Sequence, residues 1–249
     1  MTSIVNEIHA KTVVIATQNE KKKKEIAEIL KNIPGILLRG VEDFPFLPEV
    51  EEDGNSFQEN AIKKAATLAR ACNTWAMADD SGLEIDALNG RPGIYSCRYA
   101  GPNATDEKNI EKVLSELRGV PKERRTARFI CSIALASPYE LFFVVEGRCE
   151  GFVIEEPRGK GGFGYDPIFY VPDYNHTFAE LNPLTKNSIS HRAKALDQFK
   201  EQIIPLIRRF WNCFHRWVGK EKFTPNPLSE PYVTASRHTA RGILDTLQR

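Results

Sequence analysis

A polar cluster at residues 17–22 has the residue types of a phosphate site. Thr17, Asn19 and Lys22 come directly after a short apolar run and stand at the start of a segment with helical spacing. The N-terminus of a helix has unpaired backbone N–H groups and a partial positive charge, so it suits an anion. Taken alone, the run Lys21–Lys24 fits a solvated helix face better, and the segment lacks the glycines of a Walker A loop. The cluster therefore indicates phosphate binding only together with other clusters.

Carboxylates form the second group of candidates. An acidic loop holds Glu49, Glu51, Glu52 and Asp53, and the pair Asp79-Asp80 follows an apolar run further along the chain. Mg²⁺ prefers carboxylate oxygens and keeps waters that a substrate phosphate can replace, and a carboxylate beside such a water can act as a general base. A solvated loop is the better explanation for any single residue of Glu49–Asp53. Adjacent Asp79 and Asp80 would repel each other, so a metal or a cationic partner is expected beside them.

A glycine-rich loop, Gly161–Asp166, could approach a planar base. Its glycines permit close contact between backbone and ligand, Phe163 offers a face for stacking, and Asp166 is an acceptor for an N–H edge. A tight turn with core aromatic residues explains the same loop equally well.

A last cluster comprises Lys186, Ser190, His191 and Arg192, at the start of a predicted helix. His191 and Arg192 could donate to a keto oxygen, and Lys186 could neutralise a phosphate, although a lone histidine here is more often a cap or a surface residue. Together, the four clusters supply phosphate-binding cations, metal-binding carboxylates, an aromatic face and base-edge donors. That set indicates a nucleoside triphosphate site with hydrolytic capacity.

Strands alternate with helices in the elements that must position these clusters. The predicted strands are Thr12–Ala16, Trp75–Ala78, Arg128–Ala136, Glu140–Cys149 and Ile168–Val171. The predicted helices are Lys21–Lys31, Ser56 to about Cys72, Ala104–Leu117, and Ser188–Lys200 continuing over 201–218. Asn19 and Ser56 suit N-caps, and Asp79-Asp80-Ser81-Gly82 reads as a polar turn that ends its strand. A hairpin at Ser137-Pro138-Tyr139 among the crossovers predicts an α/β fold with a mixed sheet.

The composition is that of an ordinary globular protein. The 249 residues are 41% hydrophobic and 27% charged, which excludes disordered and coiled-coil classes. A net charge of +1 creates no overall field, so no stable nucleic-acid or membrane partner is expected. The five cysteines form no Cys-x-x-Cys pair, and no secretory signal or run of the ~20 apolar residues that a bilayer requires is evident. We expect free thiols and a cytoplasmic location.

Five segments of the sequence resemble the inosine triphosphate pyrophosphatase family (XTP/dITP diphosphatases). They are ATQNEKK (16–22), SFQENAIKKA (56–65), ADDSGLEIDALNGRPGIYSCRYAG (78–101), GGFGYDPIF (161–169) and KNSISHRAKAL (186–196). They occur in the order and spacing of the family over about residues 11–205, and the Asp-Asp-Ser-Gly-Leu block is highly specific.

The resemblance implies an elongated two-lobed α/β domain, with a central mixed β-sheet flanked by helices and an active-site cleft between the lobes. It implies a homodimer and Mg²⁺-dependent hydrolysis of ITP, dITP and XTP to the monophosphate and pyrophosphate. Such enzymes remove these non-standard purine nucleotides before polymerases use them.

The resemblance also implies roles for individual residues. Asp80 would be the general base and a metal ligand, and Ser81 would contact the substrate. The residues expected to hold the triphosphate are Thr17, Asn19 and Lys22. The residues expected to form the base pocket are Phe163, Gly164, Tyr165, Asp166, Lys186, His191 and Arg192.

The second metal ligand falls in the acidic loop, where the spacing varies within the family. We choose Glu52, just before Asp53-Gly54, over Glu51 or Glu49. Donors from His191 and Arg192 would be left unpaired opposite the 6-amino group of adenine, a penalty of roughly 1–3 kcal/mol for each buried group. The sequence does not show how guanine, which also has a 6-keto group, is excluded.

Residues beyond about 205 lie outside the resemblance. Residues 11–205 are predicted to form the catalytic domain, and 206–249 a basic extension made of a helix and then a flexible tail. From Lys200 to Arg249 there are nine basic and four acidic residues, so a membrane-surface or partner-binding helix is an alternative to packing on the protein itself.

Two other functions remain as alternatives. A nucleotide-binding regulator without turnover has no chemical need for intact Asp80, Lys22 and Lys186 together. An enzyme of the same fold acting on pyrimidine triphosphates is disfavoured by the Ser-His-Arg block at 190–192.

Overall fold

The structure, a computed structural model, describes residues 10–218, with side chains described to residue 211. The chain divides after Gln202 into two units. All the predicted site clusters belong to the first unit. Its last helix runs on into the second, where it is described up to Val218, so the predicted tail beyond that residue lies outside the described part. No helix in the described range has an apolar stretch long enough to cross a membrane.

A mixed sheet of seven strands is the framework of the first unit. Its strands are β1 (Lys11–Ile15), β2 (Ile36–Gly40), β3 (Trp75–Ile85), β4 (Thr126–Ala136), β5 (Leu141–Val153), β6 (Phe169–Val171) and β7 (His176–Thr177). The strand order is β2-β1-β3-β4-β5-β6-β7, with β1 parallel to β2 and β3 and every later pair antiparallel. The predicted mixed α/β fold and the β4–β5 hairpin are confirmed. β2 and β7 were not among the predicted strands.

The helices that accompany the sheet are α1 (Glu20–Leu30), α2 (Phe57–Cys72), α3 (Asp106–Glu116), α4 (Pro183–Ile189) and α5 (His191–Val218). The predicted N-caps are confirmed: Asn19 Oδ1 accepts from the N–H groups of Lys21 and Lys22, and Ser56 Oγ accepts from Glu59 N–H at 3.1 Å. The Glu59 carboxylate accepts in return from Asn55 N–H at 2.8 Å, one residue before the cap itself. Short-range polar contacts therefore fix where these helices begin.

The predicted turn at Asp79-Asp80-Ser81-Gly82 is wrong, because β3 continues through it to Ile85. These residues pair with β4 in regular register, from Asp79 opposite Ile133 to Gly82 opposite Ile130. The carboxylates stay in the strand because cations from the flanking helices neutralise them. Position 82 requires glycine, because a Cβ there would lie 2.4 Å from Ser96 Oγ and 2.5 Å from the Gly93 carbonyl oxygen.

The predicted helix over Ser188–Lys200 is broken at Ser190, so it is not continuous. Ser190 has extended backbone (φ −66°, ψ 158°), and its hydroxyl accepts from Ala193 N–H at 3.1 Å. The serine thus ends α4 and caps the first turn of α5. The break places His191 and Arg192 in that first turn.

Small residues allow helices to approach both faces of the sheet. On one face, Ala76 and Ala78 of β3 belong to the same buried cluster as Ala61 and Ala65 of α2. On the other face, α5 crosses β5 at Gly147, where a Cβ would lie 2.2 Å from the His191 carbonyl oxygen and 2.4 Å from Ala195 N. Without a side chain at Gly147, the backbone of α5 lies directly on the strand.

Candidate active site

The site lies at an open edge of β3. Strand β1 pairs with β3 only from Trp75 to Met77, and the chain then leaves through Thr17 into α1. Asp79 and Asp80 come just after the last of these pairs. Because adjacent strand residues point to opposite faces, a ligand at this edge can meet side chains from both sides of the sheet.

Residues 17–22 lie beside this edge, at the predicted junction of a strand, β1, with a helix, α1. Thr17 Oγ1 accepts from Asn19 N–H at 3.2 Å, and Asn19 Oδ1 accepts from Lys21 N–H at 3.0 Å and from Lys22 N–H at 3.1 Å. The first N–H groups of α1 are therefore occupied by the Asn19 cap. The cationic group of the cluster is the Lys22 ammonium, which forms an ion pair with Asp79 Oδ2 at 3.1 Å.

Asp80 faces α2. Its Oδ2 accepts from Asn60 Nδ2 at 3.0 Å, and its Oδ1 accepts from Lys64 Nζ at 3.3 Å. Burial raises the pKa of Asp80; Lys64 opposes that rise, and the Glu52 carboxylate adds to it. A buried carboxyl group with a raised pKa is a better proton acceptor than an exposed one.

Glu52 is the member of the acidic loop that reaches Asp80. Its Oε1 accepts from Lys64 Nζ at 2.9 Å, so Glu52 and Asp80 converge on one ammonium group. Arg98 holds the loop by donating from Nη2 to the Glu52 carbonyl oxygen at 2.9 Å. Glu49 and Glu51 are exposed. The structure therefore places the preferred candidate, and neither alternative, next to the predicted base.

The donor set fits Mg²⁺ as a partial cage. The carboxylates of Glu52 and Asp80 converge on one point, which the ammonium of Lys64 occupies. Burial alone would raise the pKa of Glu52, but Lys64 outweighs this effect and holds the pKa below its usual value. Within residues 10–211, no group of three or more His, Cys, Asp or Glu side chains gathers. Mg²⁺ is commonly held by one or two carboxylates and completed by water and substrate phosphate, so two are sufficient.

Asp79 faces α1 and α5 on the opposite side from Asp80. Its Oδ2 lies 3.1 Å from Lys22 Nζ and 3.2 Å from Arg192 Nη2. Burial would raise the pKa of Asp79, but these two cations outweigh it and hold the pKa well below the usual range. The expected repulsion within the aspartate pair is thus relieved by separate cations on separate faces.

The glycine-rich loop and α4 meet around Phe163. Asp166 Oδ2 accepts from Phe163 N–H at 2.8 Å and from Lys186 Nζ at 2.7 Å. The ammonium of Lys186 lies 4.7 Å from the centre of the Phe163 ring, and Arg192 Cζ lies 5.7 Å from it. The ring, the acceptor and both cations are thus brought together as predicted.

Two other residues of this loop have structural positions. The hydroxyl of buried Tyr165 donates to the Ser96 carbonyl oxygen at 2.8 Å, so its side chain points into the core and not towards Lys186. Gly164 has a φ of 59°, and its N–H donates to Asp106 Oδ2 at 2.7 Å. Both residues shape the loop through its backbone.

His191 and Arg192 are almost completely buried, at 5% and 1% exposed. His191 stacks on Phe129 with 4.7 Å between ring centres, and burial together with neighbouring Arg192 holds its pKa well below the usual value, so the ring is neutral. Arg192 donates from Nη2 to Ser81 Oγ at 3.0 Å. His191 Nδ1 and Arg192 Nε have no hydrogen-bond partner among the described residues. Buried polar atoms without partners are rare and are typical of functional sites.

Three contributors were not among the predicted site residues. Glu25 accepts from Lys186 at 3.1 Å and from Arg192 at 2.5 Å, and Asn60 and Lys64 hold Asp80. Glu25 follows Lys22 by one helical turn, and Asn60 and Lys64 are four residues apart, so each pair shares a helix face. That spacing was the only available signal, and it does not distinguish a buried face from a solvated one.

Comparisons with known proteins agree with this geometry. Residues 13–202 match the Ham1 family. A dITP/XTP pyrophosphatase of Desulforamulus reducens is 54% identical over 188 residues, which are 76% of this chain and 93% of the relative. A protein of the same name from Bacillus subtilis is 53% identical over 191 residues, 77% of this chain and 96% of the relative.

Solved structures support the same relationship. A HAM1 protein from Coxiella burnetii has a TM-score of 0.71 and 46% identity, covering 77% of this chain and 97% of that chain. The Ham1 protein of Staphylococcus aureus has a TM-score of 0.69 and 42% identity over the same shares. The matched range, residues 13–202, contains the sheet apart from the first two residues of β1 and every residue that converges on β3, and on these grounds the chain belongs to the Ham1 family.

Proposed function

We propose that this protein is a Mg²⁺-dependent nucleoside triphosphate pyrophosphatase that keeps non-standard purine nucleotides out of DNA and RNA. It hydrolyses ITP, dITP and XTP to the monophosphate and pyrophosphate. The names of its relatives make the chain a hydrolase of phosphoanhydride bonds. The observation that carries the proposal is the open edge of β3, where Asp80 with Glu52 and Asp79 with Arg192 stand on opposite faces of one strand.

Asp80 and Glu52 are the residues that would hold the metal ion. When bound, Mg²⁺ supplies charge neutralisation for the triphosphate and lowers the pKa of a coordinated water. Lys64 places both carboxylates before the ion arrives, because its ammonium contacts the two together.

Asp80 accepts the proton of the attacking water. Asn60 and Lys64 each donate to one of its oxygens, which orients the carboxylate without protonating it. Lys22, whose side chain is 18% exposed, offsets the negative charge of the triphosphate at the start of α1. The water attacks the α-phosphorus. The bond from that phosphorus to the oxygen bridging the α and β phosphates breaks, so that pyrophosphate leaves.

The base end selects a 6-keto purine by its donors. Lys186, His191 and Arg192 can donate to a keto oxygen, and Phe163 offers a ring for stacking. Arg192 always carries a charge and has no acceptor, so the N–H group that it presents to the base stays unpaired opposite the 6-amino group of adenine. Leaving a buried donor unpaired costs roughly 1–3 kcal/mol, which corresponds to about a ten- to hundredfold preference for a 6-keto purine over adenine.

The test of the proposal is pyrophosphate release with Mg²⁺ from ITP, dITP, XTP, ATP and GTP. We expect rapid release from the first three and slow release from ATP. Equal rates on ITP and ATP would contradict the proposed selectivity, and no release from any of them would favour a nucleotide-binding regulator.

We also propose the finer organisation that the family resemblance implies. The catalytic domain is two-lobed, covers residues 11–205 and is cytoplasmic, the chain forms a homodimer, and residues 206–249 are an extension that catalysis does not require. A protein ending at Val218 should keep its activity, and light scattering should give twice the mass of the chain. A large loss of activity in the shortened protein would show that the extension contributes to the site.

A further inference from the structure

Five charged side chains alternate in sign from the base end of the site to the phosphate end. Lys186 contacts Glu25 at 3.1 Å, and Glu25 contacts Arg192 at 2.5 Å. Arg192 contacts Asp79 at 3.2 Å, and Asp79 contacts Lys22 at 3.1 Å. The chain of contacts runs through α4, α1, α5 and β3, so it joins elements that are far apart in sequence.

Asp79 is the one link between the base-reading arginine and the phosphate-binding lysine in these contacts. Both cations meet the same atom, Oδ2, and Ser81 Oγ donates to it as well at 3.4 Å. The Asp79 side chain is completely buried, whereas 18% of the Lys22 side chain is exposed, and we assign Asp79 no direct contact with the nucleotide. Any effect it has on the substrate passes through Lys22, Arg192 and Ser81.

Stability is a weak explanation for a carboxylate in this position. Taking a charge out of water costs several kcal/mol, and an apolar replacement of a buried ion pair is often neutral or stabilising. The other oxygen, Oδ1, is buried with no hydrogen-bond partner among the described residues, so even the hydrogen bonding is incomplete. A charge kept at this expense is typical of a group with a functional role.

We infer that Asp79 is a positioning residue that couples recognition of the base to recognition of the triphosphate. The inference rests on the proposed function and assigns a part in it to a residue whose side chain is completely buried. One carboxylate oxygen fixes the distance between Lys22 and Arg192, so the two ends of a nucleotide find their donors already spaced. Without that charge, the two cations repel each other and Arg192 keeps only its hydrogen bonds with Glu25 and Ser81 among the described residues.

The experiment compares Asp79→Asn with a matched control, Asp86→Asn. Asp86 also meets an arginine, Arg128, at 2.9 Å, but it is exposed and lies after the end of β3, outside the set of site residues. Calorimetry in EDTA measures the dissociation constants of tripolyphosphate, ITP and ATP, so that binding is separated from turnover. Thermal unfolding of each protein is recorded alongside.

Asp79→Asn is expected to weaken tripolyphosphate binding about tenfold and to lower the ITP-to-ATP affinity ratio by a similar factor, since a charge-assisted contact is weakened at each end. Asp86→Asn should change neither quantity. If Asp79→Asn changes only the tripolyphosphate affinity, only the ITP-to-ATP affinity ratio, or neither, the inference is overturned.

A second variant, Lys22→Met, keeps the test decisive if Asp79→Asn does not fold. A lysine that only neutralises phosphate would weaken ITP and ATP equally. A lysine coupled to Arg192 through Asp79 should also lower the ITP-to-ATP affinity ratio several-fold, because Asp79 then meets Arg192 alone. Equal weakening of both nucleotides overturns the inference. Failure of the wild-type protein to release pyrophosphate would instead count against the proposed function, because these binding measurements do not depend on turnover.

Discussion

Asp79 and Asp80 are neighbours in sequence, yet their carboxylates lie on opposite faces of β3 and meet different cations. Asp79 contacts Lys22 and Arg192, whereas Asp80 contacts Lys64 and Asn60. The alternation of a strand thus separates the residues proposed to hold the nucleotide from those proposed to hold the metal and the water. Because β3 is open at this point, both sets still reach one ligand.

Replacing Asp80 by Asn should remove turnover and keep binding. The amide has the same shape but cannot accept the proton of the attacking water, and general-base catalysis contributes on the order of 10²–10⁴-fold. Pyrophosphate release is expected to fall by that factor, while ITP affinity in EDTA changes little. Asp53→Asn is the control, since Asp53 is exposed and pairs with Lys63. Turnover within a few-fold of the wild type would refute the role of Asp80.

Replacing Glu52 by Gln should raise the Mg²⁺ concentration needed for half-maximal activity. We expect a rise of at least about tenfold, because each 1.4 kcal/mol of lost ion interaction is a factor of ten. Glu51→Gln is the matched control: the residue is adjacent and exposed. The reverse result, with Glu51 sensitive and Glu52 not, would assign the ligand to the other glutamate.

Acid should destabilise the protein through His191. Burial holds the pKa of this ring well below its usual value, so the folded state stays neutral where the unfolded state takes up a proton near pH 6.5. The unfolded state then binds more protons, so the free energy of unfolding decreases as pH falls below about 6.5, by at most about 1.4 kcal/mol per pH unit.

Urea unfolding at pH 7 and pH 5.5 measures this loss. The loss should be smaller in His191→Gln, which has no ring to protonate, and unchanged in His176→Gln, which alters an exposed histidine. If His191→Gln and the wild type lose the same stability, another group is responsible.

Replacing Ser56 by Ala should lower the free energy of unfolding by about 1 kcal/mol. The change removes the hydroxyl that accepts from Glu59 N–H and leaves that donor at the start of α2 uncapped. Ser115→Ala, on an exposed position of α3, should stay within about 0.5 kcal/mol of the wild type. Urea unfolding midpoints of both variants provide the check, and equal effects would show that the cap adds nothing.

The sequence predicts features that depend on a few neighbouring residues. Asn19 and Ser56 cap helices through contacts two or three residues away, so residue type and spacing were sufficient to place them. The turn assigned to Asp79–Gly82 failed because polar residues in a strand are tolerated only when distant cations meet them. The positions of Lys22, Lys64 and Arg192 relative to β3 are a property of the fold and are not visible in local spacing.

The same limit explains the site residues that were overlooked. Glu25 and Lys64 look like ordinary members of solvated helix faces, and only the packing of α1 and α2 makes them contacts of the site. Tyr165 shows the opposite error: its place in a conspicuous motif suggested contact with a ligand, whereas its hydroxyl donates to the Ser96 carbonyl oxygen in the core. The types of residue in the site were predictable, but the division of labour among them depends on burial.

Gly147 of β5 lies beneath the first turn of α5 and thereby influences the proposed base preference. Its missing side chain sets how deeply α5 lies, and α5 begins with His191 and Arg192, the two residues proposed to read the base. A methyl group at this position would push His191 and Arg192 outwards without altering any atom that touches a nucleotide. Two related proteins with identical pocket residues could therefore differ in the nucleotides that they hydrolyse because of a single substitution at the position of Gly147, outside the pocket.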